Sequence, residues 1–196
     1  MSNARALLLI VVVCVVSAGM VISLLTNFGR VAIPFIPEHA DATADTSILR
    51  LYSPFDNGTG KIEVIHFYLP DCDCNQQSAR HIDSLITQAE QDVSHRIAIP
   101  AGAGDIAFSW VRARYPGTDI RETLLNPVSA PSLAIYDKQG QLRYFGPYGT
   151  GPACIQPSPD YFPQIIEAIR NGTFNGRLIN TGVSGCFCRW PPAKRP

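Results

Sequence analysis

The 196-residue chain is predicted to form an α/β domain with a mixed β-sheet flanked by helices. Three observations predict this class: strand-like and helix-like segments alternate from residue 61 onward, a hairpin pattern follows at 131–146, and a last helical pattern lies at 160–172. Strands joined through helices usually pair in parallel, whereas the strands of a hairpin are antiparallel. The sheet should therefore contain both kinds of pairing.

The first strand and helix of this pattern lie at 62–93. The run IEVIHFYL at 62–69 is rich in β-branched and aromatic residues and is too short for a helix, which is typical of a buried strand. Behind it, apolar residues recur at spacings of three and four and predict one face of an amphipathic helix: Ile82, Leu85, Ile86, Ala89 and Val93. The segment PDCDCN at 70–75 should therefore be a strand-to-helix turn.

The remaining elements follow in order. RIAIP at 96–100 is typical of a second buried strand, and 105–115 begins with an N-cap type of residue and stops before a proline, which predicts a helix. At 131–146 two apolar runs flank a Lys-Gln-Gly turn, as in a hairpin. The helix predicted at 160–172 has Asp160 as its cap.

An uncharged apolar segment occupies residues 6–26, and about 20 such residues suffice to cross a bilayer. We expect a single-pass transmembrane helix there, between a short cytoplasmic flank at 1–5 and a tether at 27–60. A cleaved signal peptide is the alternative, because Val-Ser-Ala at 16–18 is a tolerable cleavage site. The charges around the segment favour an inner-membrane protein whose domain lies on the periplasmic, extracytoplasmic side.

Charge and motif content exclude several functions. The 16 basic and 16 acidic side chains cancel and neither sign is clustered, so no nucleic acid is expected as a partner. No phosphate-binding loop or dinucleotide fingerprint is present, and no organic cofactor is predicted.

The chain has six cysteines, and Cys72 and Cys74 form a Cys-x-Cys pair at the predicted strand-to-helix turn. The positive end of a helix dipole stabilises a nearby thiolate, which is the attacking species in thiol-disulfide exchange. Asp71 and Asp73 oppose this effect, since like charge disfavours a thiolate. The pair is predicted to be redox-active, and the direction of electron flow stays open.

Two stretches resemble the thioredoxin family. Phe67-Tyr68-Leu69-Pro70-Asp71-Cys72 is in register with the thioredoxin pattern F-W-A-x-W-C, and Ser129-Ala130-Pro131-Ser132 stands where thioredoxins have an X-Pro-Thr strand before a hairpin. The resemblance covers about 61–172 and leaves a cysteine-containing tail at 173–196.

This resemblance implies a thiol-disulfide oxidoreductase or isomerase. Cys72 would attack or be attacked by a substrate sulfur, Cys74 would resolve the mixed disulfide, and Pro131 would be a cis proline beside the substrate groove. Protein thiols and disulfides would be the substrates, and a redox partner protein would exchange electrons with the pair.

Two departures from the thioredoxin pattern concern the proposed site. The spacing is Cys-x-Cys, with Asn75 at the position of the usual resolving cysteine. His66 occupies the position of a buried acid. It is either a proton shuttle, because its ordinary pKa of about 6.5 is close to working pH, or a core histidine with a backbone partner.

A second group of cysteines comprises Cys154 and the tail pair Cys186 and Cys188. The first interpretation is structural, with Cys154 bonded to Cys186 or Cys188. In the second, the tail pair relays disulfides to Cys72 and Cys74. In the third, the two pairs offer four thiolates to zinc or Cu(I), although zinc sites more commonly use Cys-x2-4-Cys. A metal-binding module and a non-catalytic interaction domain with structural disulfides are thus the alternatives to an enzyme, which would need no metal.

Overall fold

The computed structural model describes residues 3–36, 60–151, 153–156, 158 and 160–191. Within these residues the helices are α1 (Asn3–Val31), α2 (Asn75–Thr87), α3 (Asp105–Arg114) and α4 (Tyr161–Arg170). The strands are β1 (Ile33–Pro34), β2 (Ile62–Phe67), β3 (Val93–Pro100), β4 (Asp119–Thr123), β5 (Ser129–Ala130), β6 (Ser132–Tyr136), β7 (Leu142–Pro147), β8 (Leu178–Ile179), β9 (Ser184–Gly185) and β10 (Cys188–Arg189).

The central sheet has six strands in the order β4-β3-β2-β6-β7-β8. Strands β2, β3 and β4 pair in parallel, β6 is antiparallel to both β2 and β7, and β8 is parallel to β7. The predicted mixed α/β sheet is therefore confirmed, and its strand order is that of a thioredoxin-like fold.

Both faces of the central strand β2 are covered, and all six of its residues are buried. Because side chains alternate along a strand, Ile62 and Val64 face a cluster that includes residues of α2 and α4, whereas Ile65 and Phe67 pack into a second cluster on the other face. A strand covered on both faces is expected to be mostly apolar, and β2 departs from this at two buried polar residues, Glu63 and His66.

Helix α1 contains the apolar segment at 6–26. In the part of the chain that the structure describes, no helix combines the length and the apolar character needed to cross a membrane. The predicted single-pass location in the inner membrane, with the domain on the periplasmic side, is therefore wrong.

Element boundaries differ from the sequence prediction around α2. The helix ends at Thr87, and Val93, predicted on its apolar face, is instead the first residue of β3. The Val93 N–H donates to Glu90 O in an intervening turn. Val93 is buried, and it happens to fall at a helical spacing from the preceding apolar residues. Gly104 precedes α3 at the cap position predicted for Asp105.

The N-terminal segment and the tail contact each other. Strand β1 pairs antiparallel with β9, and the Phe35 N–H donates to Val183 O at 2.8 Å. Residues 33–36 belong to the segment predicted as a tether, whereas residues 37–59 of that segment lie outside the described residues. The tail strands β8, β9 and β10 were not predicted, because two-residue strands are too short to show periodicity.

Candidate redox site

Cys72 and Cys74 lie in the turn between β2 and the N-terminus of α2, as the sequence predicts. The Cys72 N–H donates to Leu69 O at 3.0 Å, and the Asn75 N–H donates to Cys72 O at 3.0 Å. The Asn75 side chain donates to Leu69 O at 2.7 Å. Cys74 is the residue that precedes the first turn of α2. Asn75, at the usual position of a resolving cysteine, thus fastens the turn.

Pro131 lies across from this turn, between β5 and β6. The Ala130–Pro131 peptide bond is cis, as the thioredoxin resemblance implies. The Cys72 Sγ atom lies 3.9 Å from the carbonyl oxygen of Ala130. The two sequence stretches that carry the resemblance therefore meet at Cys72.

Two disulfides join this turn to the tail: Cys72–Cys188 and Cys74–Cys186, with Cα–Cα distances of 5.9 and 5.4 Å. The pairing order is inverted, so the two Cys-x-Cys segments run antiparallel. Both bonds are formed at once, one at each end of the two Cys-x-Cys segments. The first structural interpretation, a bond from Cys154 to the tail, is wrong.

Strand β10 places Cys188 against Cys72. It pairs antiparallel with β5, with Cys188 opposite Ala130 and Arg189 opposite Ser129. The tail thus lies as an added strand directly before Pro131. This pairing has no counterpart in the sequence pattern apart from the repeated Cys-x-Cys spacing.

The two sides of the disulfides differ in exposure. Cys72 and Cys74 are 4% and 7% exposed, whereas Cys186 and Cys188 are half-buried. Cys72 nevertheless lines a surface cavity of about 480 Å³ together with Tyr68, Trp110 and Tyr115. This cavity offers a reagent an approach to Cys72.

Cys154 is a free, buried cysteine. Its Sγ lies 3.4 Å from Ser78 Oγ, one helical turn after Cys74 in α2, and its carbonyl oxygen lies 3.0 Å from His81 Nε2. The Cys154 sulfur thus lies against α2 as a free thiol, while the tail cysteines are bonded to Cys72 and Cys74. Burial raises the pKa of the Cys154 thiol.

Native alkylation should separate Cys154 from Cys14, the other free cysteine. Cys14 is exposed and Cys154 is buried with a raised pKa, so iodoacetamide near pH 8 should modify Cys14 at least about ten times faster. Timed quenching and peptide mapping would measure the two rates within one molecule. Equal rates in the folded protein, with both fast, would contradict the burial of Cys154.

His66 lies in a buried row of aromatic rings. Its Nδ1 is 2.5 Å from Tyr148 OH, and its Nε2 is 2.9 Å from His95 Nδ1. Burial lowers the pKa of His66 well below its usual value, with a further lowering by His95, and burial lowers the pKa of His95 to about 4. Both histidines are therefore neutral at pH 7. The side-chain partners differ from the backbone partner expected of a core histidine, and no sequence pattern pointed to Tyr148 or His95.

The histidine pair predicts how stability depends on pH. A depressed folded-state pKa means that the unfolded chain binds more protons below its ordinary pKa of about 6.5. Stability should therefore be fully present above pH 6.5 and fall as the pH drops towards 4, by up to about 1.4 kcal/mol per pH unit for each buried imidazole. Urea unfolding at pH 7.5, 6 and 5 measures the slope. The variant H95Q should have a shallower slope, and an unchanged slope would contradict this assignment.

A family model decides the relationship of the chain to known sequences. The model for the domain of unknown function DUF6436 matches residues 41–190. The chain belongs to the DUF6436 family. The match includes both cysteine pairs, Cys154 and Pro131. No curated protein matches this DUF6436 sequence.

Solved structures similar to this DUF6436 chain include three of the predicted class. One is a secreted Mycobacterium tuberculosis disulfide oxidoreductase homologous to E. coli DsbE, with TM-score 0.41, 18% identity, and coverage of 56% of this chain and 82% of that one. A putative thioredoxin from Neisseria meningitidis has TM-score 0.43, 12% identity, and coverage of 58% of this chain and 77% of that one. An uncharacterized thioredoxin-like protein from Porphyromonas gingivalis has TM-score 0.44, 14% identity, and coverage of 58% and 79%. At these TM-scores the fold assignment depends on the strand order in the chain itself.

Proposed function

We propose that the chain is a thiol-disulfide oxidoreductase in which the pair Cys72/Cys74 exchanges disulfides with substrates and with the tail pair Cys186/Cys188. The observation that carries the proposal is the pair of cross-disulfides at a helix N-terminus, opposite Pro131. Of the roles considered for the tail pair, the relay agrees best with this pairing.

The exchange begins at Cys72, which lines the open cavity. A substrate thiolate attacks the Cys72 sulfur, the Cys72–Cys188 bond breaks, and Cys188 leaves as a thiolate. A second substrate thiol, once deprotonated, attacks the mixed disulfide and releases the Cys72 thiolate. The substrate dithiol becomes a disulfide, two protons are released, and one disulfide of the chain is reduced by two electrons.

The second disulfide allows the chain to accept two more electrons. A free Cys72 thiolate can attack the Cys74–Cys186 bond, because the sulfurs of Cys72, Cys74 and Cys188 all lie within 4.8 Å of one another. The isomer with a Cys72–Cys74 bond is then available without net oxidation. A redox partner protein of the dithiol-disulfide class would remove the four electrons and regenerate both bonds.

His66 belongs to β2 and lies six positions before Cys72. Its contacts with Tyr148 and His95 keep it buried, and its lowered pKa keeps it neutral. The shuttle role remains a prediction, tested by whether H66Q shifts the pH profile of exchange or only lowers stability.

A redox titration tests the proposal. Full-length protein is equilibrated in glutathione buffers of graded ratio, quenched by alkylation, and mapped at every cysteine. The proposal expects Cys72, Cys74, Cys186 and Cys188 to titrate together as two accessible two-electron couples, while Cys154 stays reduced. If the four cysteines stay oxidised across all reducing glutathione ratios, the disulfides are structural staples and the chain is a non-catalytic interaction domain.

A thiolate metal site is the second candidate function, favoured by the clustering of three cysteine sulfurs within 4.8 Å. In the reduced protein these thiolates, with Cys186, offer a soft ligand set suited to Cu(I) or zinc. Anaerobic titration of the reduced chain with either ion tests it. One tightly bound ion per chain, lost in C186S/C188S, would favour a metal role, and no binding would leave the redox role alone.

A further inference from the structure

The tail lies where an extended polypeptide would bind beside the reactive cysteine. From the way it is held we infer that the segment 184–190 is an internal copy of the substrate, and that the site accepts extended cysteine-containing segments with an aromatic residue one position before and two positions after the reacting cysteine. The inference rests on the proposed function and specifies its substrate class.

Backbone pairing gives the groove its preference for extended chain. Strand β5 pairs with β10, and the Trp190 N–H donates to Val128 O at 2.9 Å. Val128 has a φ of 70°, which is unfavourable for a β-branched residue, and its own N–H donates to Asn126 Oδ1 at 2.7 Å. The backbone at Val128 is thus held in an uncommon conformation where it accepts a bond from the added strand.

Two aromatic side chains of the tail give the groove its sequence preference. Phe187 and Trp190 are each 6% exposed. Phe187 packs edge-to-face on Phe35 at 5.2 Å between ring centroids, and Trp190 packs edge-to-face on Phe67 at 5.8 Å. Burial of aromatic rings away from water is strongly favourable, so these two side chains should dominate recognition.

A polar contact fixes the register between these two rings. Arg189 Nη1 donates to Phe35 O at 2.9 Å and to Ser129 Oγ at 2.8 Å. Both acceptors are uncharged oxygen atoms. The groove should therefore favour any side chain that donates hydrogen bonds at the position of Arg189. The recognised pattern is therefore aromatic, cysteine, donor, aromatic, as in Phe187-Cys188-Arg189-Trp190.

The tail should also compete with substrates for the groove. A segment tied to the site by its own chain has an effective concentration of the order of millimolar, so it blocks the groove even without a disulfide. Release of Cys188 by exchange weakens this competition and lets an external segment take its place.

A peptide reaction tests both parts of the inference. The probe is a peptide with the sequence of residues 183–191, with serine at the position of Cys186 and the cysteine of Cys188 activated as a thionitrobenzoate disulfide. Cys72 attacks this sulfur and releases coloured thionitrobenzoate, leaving a Cys72–peptide disulfide. The control peptide has serine at both aromatic positions, and free thionitrobenzoate disulfide reagent measures the intrinsic reactivity of Cys72.

Two full-length proteins are compared. One is C74S/C186S/C188S, whose tail is intact but cannot cross-link; the other adds F187S and W190S, so that the tail is no longer anchored. We expect the second protein to react with the probe at least about ten times faster than with the control peptide, and the first protein to react with the probe about ten times more slowly than the second. Both should react equally with the small reagent, and mapping should place the adduct on Cys72.

Each other outcome is informative. Equal rates for the two peptides, with a reactive Cys72, overturn the inferred substrate class and leave the proposed oxidoreductase intact. A Cys72 that fails to react with the small reagent in folded protein overturns the proposed function and this inference with it. If the five-fold variant does not unfold cooperatively, hydrogen exchange of reduced C74S/C186S/C188S replaces it: faster exchange of the Trp190 amide on adding the probe supports displacement of the tail, and no change contradicts it.

Discussion

Replacing Cys72 by serine should reduce the oxidation of a peptide dithiol by the chain to the rate of the protein-free mixture. Cys72 lines the open cavity and lies against Ala130, so it is the sulfur that an incoming thiolate reaches. Loss of substrate thiols over time, followed by mass spectrometry, measures the effect. The control C14S changes an exposed cysteine of α1 and should leave the rate unchanged.

Trapping of mixed disulfides requires a double variant. The sulfurs of Cys72, Cys74 and Cys188 lie within 4.8 Å of one another. Either Cys74 or Cys188 can therefore resolve an adduct on Cys72. When reduced C74S/C188S is mixed with a peptide disulfide, the Cys72 thiolate attacks it, one substrate thiolate leaves, and the substrate adduct at Cys72 should accumulate, whereas reduced C74S alone should accumulate less. If C72S stays active and the double variant traps nothing, the assignment of roles to Cys72 and Cys74 is wrong.

Reduction of both tail disulfides should destabilise the protein by about 7 kcal/mol. The cysteines of the two bonds are separated by 116 and 112 residues. Closing one loop of this length removes roughly 5 kcal/mol of unfolded-state entropy. The second bond then closes only a ring of a few residues, worth about 2 kcal/mol by the same relation.

Single-bond variants should therefore lose far less than the reduced protein. C74S/C186S and C72S/C188S each keep one long cross-link and should lose about 2 kcal/mol against the oxidised chain. Urea unfolding with and without dithiothreitol measures all four states. In dithiothreitol the free energies of unfolding of the two variants and of the unsubstituted chain should agree within about 1 kcal/mol. A loss of about 5 kcal/mol for each bond removed would mean that each bond closes a long loop of its own, and would contradict this prediction.

The strands and helices around the site could be predicted because each carries its own local signal. β2 is a short run of β-branched and aromatic residues, and α2 shows an apolar face over Ile82 and Leu85. Strand β4 was not predicted because its sequence, Asp-Ile-Arg-Glu-Thr, has one buried residue, Ile120, among mostly exposed ones and so shows no apolar pattern. The helical pattern was wrongly extended to Val93, because the spacing of apolar residues does not show where a turn ends the helix.

What the sequence determined is the position of the cysteine turn: a strand followed by a helix places Cys72 and Cys74 at a helix N-terminus, and Pro131 lies at the start of the hairpin. Only the tertiary structure decided which cysteines pair. Disulfide partners are selected by distance in space, and here the pairing of β10 with β5 brings Cys188 to Cys72 across 116 residues of sequence, whereas the Cys154 sulfur lies against Ser78 of α2 and stays free. The two-residue strand β10 has no sequence pattern that predicts it. Its position, and with it the disulfide pairing, depends on the tertiary contacts with β5.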